Sequence, residues 1–151
     1  DPAKDAAPAG EPAEAWRPAC EMREDGEKHC VLSRRVPGPD DKGVVLAVEF
    51  VRAGTASLFA RFVTPLSIDL TKGLAYSVLK GGREQPARLL AFRTCTPQGC
   101  YAPFEADNAT LEAFRLGSQI NVRFVALDGR EIGAAVGLDG FTKGYEDFVS
   151  R

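Results

Sequence analysis

The residues of this chain with the clearest chemistry are four cysteines in two close pairs, Cys20 with Cys30 and Cys95 with Cys100. Each pair can close a hairpin with a disulfide bond, and disulfides persist mainly in oxidising compartments. The alternative, a cytosolic chain with four free thiols, is disfavoured because such pairs are rare in cytosolic domains. We therefore expect the disulfides Cys20–Cys30 and Cys95–Cys100, although other connectivities stay formally open.

A redox function is the main chemical alternative for the second pair. Thioredoxin-like enzymes use two cysteines separated by two residues at the start of a helix, which lowers the pKa of the attacking thiol. The segment Cys95-Thr-Pro-Gln-Gly-Cys100 has a longer spacing and no helix pattern directly after it. Pro97 and Gly99 instead suit a turn in a four-residue loop that brings the two cysteines face to face. A structural role is therefore favoured, and a zinc site is disfavoured further.

The remaining residues give little support to hydrolytic or metal-dependent chemistry. His29 is the only histidine, and it lies next to a cysteine that we expect to be oxidised, which disfavours a catalytic triad through it. The acid pairs Asp40 with Asp41 and Asp25 with Glu27 lie in turn-rich segments, where carboxylates remain solvated without a catalytic role. We expect no catalytic residue, no metal ligand and no cofactor.

Length and charge indicate one domain that neither binds nucleic acid nor spans a membrane. The chain has 151 residues, 44% of them hydrophobic, and a net charge of −2. This length supports a sizeable core, and this charge provides no basic field for nucleic acid. No apolar run approaches the roughly 20 residues of a transmembrane helix. Residues 1–15 are rich in Ala, Pro and acidic residues, so we expect a flexible leader, left after removal of a signal peptide, before a domain of residues 16–151.

Two Asp-Gly pairs predict hairpins. Around Asp25-Gly26, a three-residue loop with the glycine in the left-handed conformation places the first two cysteines opposite each other, whereas a two-residue turn misaligns them by one residue. Around Asp128-Gly129, a two-residue turn places Phe124 opposite Gly133, so that a bulky residue faces a small one. Both hairpins are typical of antiparallel sheets.

Apolar or alternating segments predict further strands, and the overall pattern is all-β. In one of these segments Leu66, Ile68 and Leu70 alternate and would share one face. Short helices are predicted after Asp107 or Asn108 and at the C-terminus. We expect an antiparallel β-sandwich or open barrel with one or two short helices. The strand segments are residues 44–51, 58–63, 66–70, 76–79, 87–94, 120–126 and 131–138.

The aromatic residues near the two ends of the domain have two interpretations. Phe141, Tyr145 and Phe148 recur at the spacing of one helix face, which usually packs on a core. An exposed stripe would instead form an interaction surface, and the same choice applies to Trp16. Core packing is favoured, and the interaction surface of Trp16, Phe141 and Tyr145 is the alternative.

With these motifs the chain resembles the invasion-associated locus B family of bacterial envelope proteins, over residues from about 16 to 148. The resemblance implies an exported all-β protein of a Gram-negative bacterium, in the periplasm, in the outer membrane or secreted, with no catalytic motif to transfer. The matching features are Trp16 with Cys20 and Cys30, Thr64-Pro-Leu-Ser-Ile-Asp-Leu70, Cys95-Thr-Pro-Gln-Gly-Cys100, and Gly137-Leu-Asp-Gly-Phe141 with the aromatic residues after it.

Three functional hypotheses follow from the resemblance and the residues. The first is a non-enzymatic binding or adhesion module that promotes association with host cells, because the family is associated with entry into red cells. The second is a periplasmic housekeeping or envelope-stabilising protein. The third is an enzyme, either a disulfide exchanger or a hydrolase with an unrecognised site. The sequence identifies neither the partner, a protein or cell-surface molecule, nor the oligomeric state.

Overall fold

The computed structural model describes residues 15–38, 43–53 and 57–151. The predicted leader, apart from its last residue, and the acid pair Asp40 with Asp41 lie outside the described residues. The elements are the strands β1 (Arg17–Met22), β2 (Lys28–Pro37), β3 (Val44–Ala53), β4 (Ser57–Thr64), β5 (Leu74–Lys80), β6 (Arg83–Glu84), β7 (Arg88–Leu90), β8 (Thr94–Thr96), β9 (Gly99–Phe104), β10 (Gln119–Val125) and β11 (Glu131–Gly137), and the helices α1 (Asn108–Leu116) and α2 (Phe141–Ser150).

The strands form two antiparallel sheets, whose apolar faces enclose the core. The six-stranded sheet has the order β1-β2-β3-β4-β9-β8. The five-stranded sheet has the order β11-β10-β5-β6, and β7 also pairs with β5. Both helices pack against this core through buried side chains. The fold is thus consistent with a β-sandwich, one of the two architectures that the strand pattern predicts, and the all-β class is confirmed.

The first hairpin has the predicted loop and register. Cys20 lies opposite Cys30, the Arg23 N–H donates to the Glu27 carbonyl at 2.8 Å, and Gly26 has a φ of +84°. A left-handed glycine at the end of a three-residue loop adds one residue to the turn and keeps the strands in register. This prediction is confirmed.

The predicted register of the second hairpin is wrong by one residue. Phe124 lies opposite Ile132 rather than Gly133. The cause is the loop, which spans three residues and not two: the Ala126 N–H donates to the Arg130 carbonyl at 2.9 Å, and the glycine of the Asp-Gly pair has a φ of +91°. Both Asp-Gly hairpins therefore use the same loop geometry.

The predicted strand at residues 66–70 is also wrong. Only Ile68 is buried, and it forms an isolated bridge to Ala126. Ser67 has a φ of +67°, which breaks the alternation, so Leu66 and Leu70 are 48% and 47% exposed. The segment instead wraps around the end of the five-stranded sheet.

An aromatic cluster fills the space between the sheets. Phe50, which is fully buried, lies within 5.6–6.3 Å, centroid to centroid, of five other rings. Trp16, Phe141 and Tyr145 are three of those neighbours and are 7%, 0% and 6% exposed. Their rings thus pack in the core and do not form the exposed stripe of the alternative interpretation: α2 places Phe141 and Tyr145 against Phe50, and Trp16, just before β1, packs in the same cluster. The other two neighbours are Phe104 and Phe114.

A buried arginine links the six-stranded sheet to the end of β11. Arg34, on β2, is 7% exposed. Its Nη1 donates to the Gly137 carbonyl at 2.8 Å, the Asp139 carbonyl at 3.2 Å and the Asp139 Oδ1 at 2.9 Å. The Trp16 indole N–H donates to the same Gly137 carbonyl at 3.0 Å. A Cβ at position 137 would approach Asp139 Oδ1 to 2.7 Å, so a larger residue there would have to displace the Asp139 carboxylate from Arg34.

Candidate interaction surface

Both disulfides belong to the six-stranded sheet, one at each edge. The first disulfide, Cys20–Cys30, joins the edge strand β1 to β2. The second disulfide, Cys95–Cys100, joins the other edge strand β8 to β9. In the β8–β9 hairpin Thr96 pairs with Gly99, so the chain turns through two residues rather than the predicted four-residue loop, and the cysteines lie face to face as predicted. The bonds therefore hold both edges of one sheet and leave the other sheet uncrosslinked.

The accessibility of the two disulfides differs between their sulfurs. Cys30 and Cys100 are 1% and 2% exposed, whereas Cys20 is half-buried and Cys95 is exposed, so an external thiolate meets one shielded and one more accessible sulfur in each bond. His29 Nε2 lies 3.6 Å from Glu27 Oε1 on the first hairpin. Across residues 15–38, 43–53 and 57–151, no group of three or more His, Cys, Asp or Glu side chains could hold a metal ion. No helix among these residues has the length and apolarity needed to cross a membrane.

The outer face of the six-stranded sheet is apolar at its centre. Val31, Val51 and Phe59 are cross-strand neighbours on β2, β3 and β4. They alternate along their strands with the core residues, so their side chains point away from the core. Val51 is nevertheless only 7% exposed, whereas Phe59 is 41% exposed. An outward-facing aromatic ring beside a covered valine is an unusual surface for a sheet that faces water, which normally carries polar side chains.

An arginine between two aromatic rings lies beside this row. The Arg61 guanidinium is 4.4 Å from the ring centroid of Tyr101 and 5.7 Å from that of Phe59. Its Nε donates to Glu49 Oε1 at 2.7 Å. The Tyr101 hydroxyl lies 3.0 Å from the hydroxyl of Thr96 in the loop of the second disulfide. We call Glu49, Phe59, Arg61 and Tyr101 the Arg61 platform.

The Arg61 platform has the chemistry of a recognition surface. Its rings offer apolar and π contacts, and the arginine offers donors held in a fixed position by Glu49 and the rings. Tyr and Arg side chains are enriched at protein interfaces for these reasons. Because the platform spans β3, β4 and β9, its geometry depends on the order of the sheet that the disulfides hold.

The residues of the Arg61 platform were not predicted as a site, although the sequence contains a pattern that points to them. The segments at residues 44–51 and 58–63 are apolar at successive positions, so an apolar side chain must face outward on each strand. On β4 the outward residues are Phe59, Arg61 and Val63. The neighbouring arginines Arg34 and Arg35 do not form a basic patch, because Arg34 is buried and Arg35 is exposed on the opposite face of β2.

Comparison with known proteins gives a consistent family. The model for "Invasion associated locus B (IalB) protein" matches residues 16–149. An invasion protein B homolog of Brucella abortus strain 2308 is 27% identical over 127 residues, which cover 83% of this chain and 70% of that protein, and one from strain 9-941 matches equally. The crystal structure of invasion associated protein b from Bartonella henselae has a TM-score of 0.70 and 19% identity, and the match covers 90% of this chain and 94% of that one.

Proposed function

We propose that this chain, which belongs to the invasion-associated locus B family, is a non-enzymatic binding protein of the bacterial envelope that promotes association with host cells. The names of the Brucella and Bartonella relatives support a role in invasion. The two disulfides support an exported protein, since such bonds persist in the periplasm and outside the cell.

The Arg61 platform is the observation that carries this proposal. It combines a Phe59 ring that is 41% exposed with an arginine whose Nε is committed to Glu49. A partner that covers the rings removes apolar surface from water. It also excludes water from the Arg61–Glu49 ion pair, which strengthens the attraction between the two charges. Anchors of this type cost about 2 kcal/mol or more when truncated at interfaces, or roughly thirtyfold in affinity.

The test is equilibrium binding of the labelled, oxidised 151-residue chain to intact erythrocytes. We expect saturable binding by the parent protein. The variants Phe59→Ala and Tyr101→Ala should each bind at least tenfold more weakly, because each removes a ring that faces the partner. Leu116→Ala is the matched control, since Leu116 is an apolar side chain 54% exposed at the end of α1. It should bind like the parent.

The outcomes separate the functional hypotheses. No saturable binding by the parent would overturn host-cell association and favour the housekeeping alternative, whose partners lie in the bacterial envelope. Saturable binding that all three variants retain would keep the adhesion function and remove the Arg61 platform from it. A disulfide-reduced sample tests whether the crosslinked sheet is needed. We expect it to bind more weakly, since the edge strands β1 and β8 lose their crosslinks.

A further inference from the structure

A cavity of about 240 Å³ lies between strand β5, helix α1 and the segment that joins β6 to β7. Its apolar lining includes Val78, Phe114 and Pro86. We call this cavity the β5–α1 pocket. Its volume is slightly below the usual range for ligand sites, about 300–1,000 Å³, so it suits a small molecule or one side chain of a partner.

Two buried hydroxyl groups line the pocket. Tyr76 and Thr110 are 6% and 7% exposed. Burial raises the pKa of the Tyr76 phenol, and this is opposed by the charge of Arg88 and by a hydrogen bond with the Thr110 side chain. The phenol therefore stays neutral at physiological pH and keeps its proton for donation.

An arginine reaches the same cavity because of the strand register. Arg88 lies directly opposite Tyr76 in the β5–β7 ladder, and residues opposite each other in a sheet share a face. Arg88 is exposed to solvent and lines the pocket from the edge strand β7. It forms no ion pair with another described residue. A charged residue on an edge strand also discourages edge-to-edge pairing, but that role needs no cavity beside it.

The acidic groups nearby are held by other partners. The Asp107 carboxylate caps α1 and accepts the Thr110 backbone N–H at 2.8 Å. This hydrogen bond lowers the pKa of Asp107, and the charge of Arg88 adds to the effect. Glu84 is bonded to the Ser77 hydroxyl and lies 3.4 Å from Asn121 Nδ2. Asp107 reduces the positive field of Arg88 without occupying its donors.

We propose that the β5–α1 pocket binds a carboxylate attached to a small apolar group. The apolar body would occupy the space against Val78 and Phe114, and the carboxylate would accept hydrogen bonds from Arg88 and the Tyr76 hydroxyl. Arginine binds carboxylates through paired donors, and a neutral phenol adds a third donor. Two sources share this chemistry: a free apolar acid and the C-terminal residue of a peptide.

The experiment is an NMR titration of the ¹⁵N-labelled 151-residue chain with defined probes. 3-Phenylpropanoate represents the free acids, and Ala-Ala-Phe with a free C-terminus represents the peptides. We expect saturable shifts at the amides of Tyr76, Thr110 and Phe114 with at least one of the two. 3-Phenylpropanamide and the amidated peptide should bind at least tenfold more weakly, because a hydrogen bond to a charged partner contributes about 1.5–3 kcal/mol, or roughly tenfold or more.

Three variants keep the result interpretable. Arg88→Gln should weaken carboxylate binding at least tenfold. Ala113→Leu should abolish it by filling the pocket while leaving Arg88 in place. Arg83→Gln is the matched control, because Arg83 is an exposed arginine on β6 that does not line the pocket, and it should bind like the parent. Binding of one probe alone supports the proposal and identifies the source. Three results would overturn the proposal: equal binding of acid and amide, unchanged binding by Arg88→Gln, or no chemical shift changes with either probe at concentrations up to about 20 mM.

Discussion

Replacing Arg34 by methionine should destabilise the protein by about 3 kcal/mol. Methionine keeps the apolar stem of the side chain and removes the guanidinium that joins β2 to the end of β11. Two of the three lost hydrogen bonds go to backbone carbonyls, of Gly137 and Asp139. A hydrogen bond with a charged donor contributes about 1.5–3 kcal/mol. The Trp16 indole still donates to the Gly137 carbonyl in the variant. We therefore take the lower end of the range obtained by adding the contributions of the two backbone hydrogen bonds.

The ion pair should contribute much less than the backbone bonds. Asp139 is bonded to Arg34 at 2.9 Å, but its side chain is 81% exposed, against 8% for Arg34. Solvent screens such a pair, so Asp139→Asn should cost about 0.5–1 kcal/mol. The structure therefore predicts unequal effects at the two ends of one contact.

Urea denaturation of the oxidised protein at pH 7 measures both effects, with the double variant completing a mutant cycle. Arg35→Met is the matched control, because Arg35 is the exposed neighbour on the same strand and should change stability by less than about 0.5 kcal/mol. Two results would refute the conclusion that Arg34 stabilises the fold mainly through its backbone hydrogen bonds. One is a loss below about 1 kcal/mol for Arg34→Met, and the other is a loss for Asp139→Asn as large as that for Arg34→Met.

Three further predictions concern the core, pH and the disulfides. Phe50→Ala should cost about 3–5 kcal/mol in urea denaturation, because the ring contacts five others; a loss under 2 kcal/mol would contradict its central position. Arg34 holds the pKa of Asp139 below its usual value. The stability from this carboxylate is therefore present above the unfolded pKa of about 3.9 and is lost as pH falls through the lower folded pKa. The unfolding free energy measured against pH should decline less steeply in acid for Arg34→Met than for the parent, and equal slopes would contradict this prediction. Serine replacement of either disulfide should cost about 2–3 kcal/mol by loop entropy, more for the first disulfide, which has a separation of 10 residues against 5; hydrogen exchange should rise at the corresponding sheet edge, and a rise confined to the five-stranded sheet would contradict the topology.

Two hairpins with the same Asp-Gly signal show how far local sequence determines register. In the first hairpin the cysteines at positions 20 and 30 had to face each other, and this long-range condition selected the three-residue loop. The second hairpin had no such condition, and the shorter turn was predicted from the dipeptide alone. A shift by one residue moves side chains to the opposite face, so the burial pattern of β11 decides the register. That pattern is weak because four of the seven residues of β11 are Gly or Ala.

The segment at residues 66–70 and the Arg61 platform show a second limit. Alternation predicted a strand for the former, but the left-handed Ser67 turns the chain, which follows from its tertiary position rather than from propensity. The Arg61 platform depends on which strands become neighbours: Arg61 meets Tyr101 because β9 pairs with β4. Such pairings join distant parts of the chain, so composition and periodicity could predict the sheet but not this contact.

The short loops closed by the two disulfides also affect how the oxidised protein is made. Each bond joins strands of one local hairpin, so the correct partners are already the nearest cysteines in an unfolded chain. Mispaired connectivities would close far longer loops, and each doubling of loop length adds about 0.6 kcal/mol of entropic cost. Oxidation can thus precede assembly of the sandwich and still give the native pairs, which makes the edges of the six-stranded sheet a product of local chemistry rather than of the completed fold.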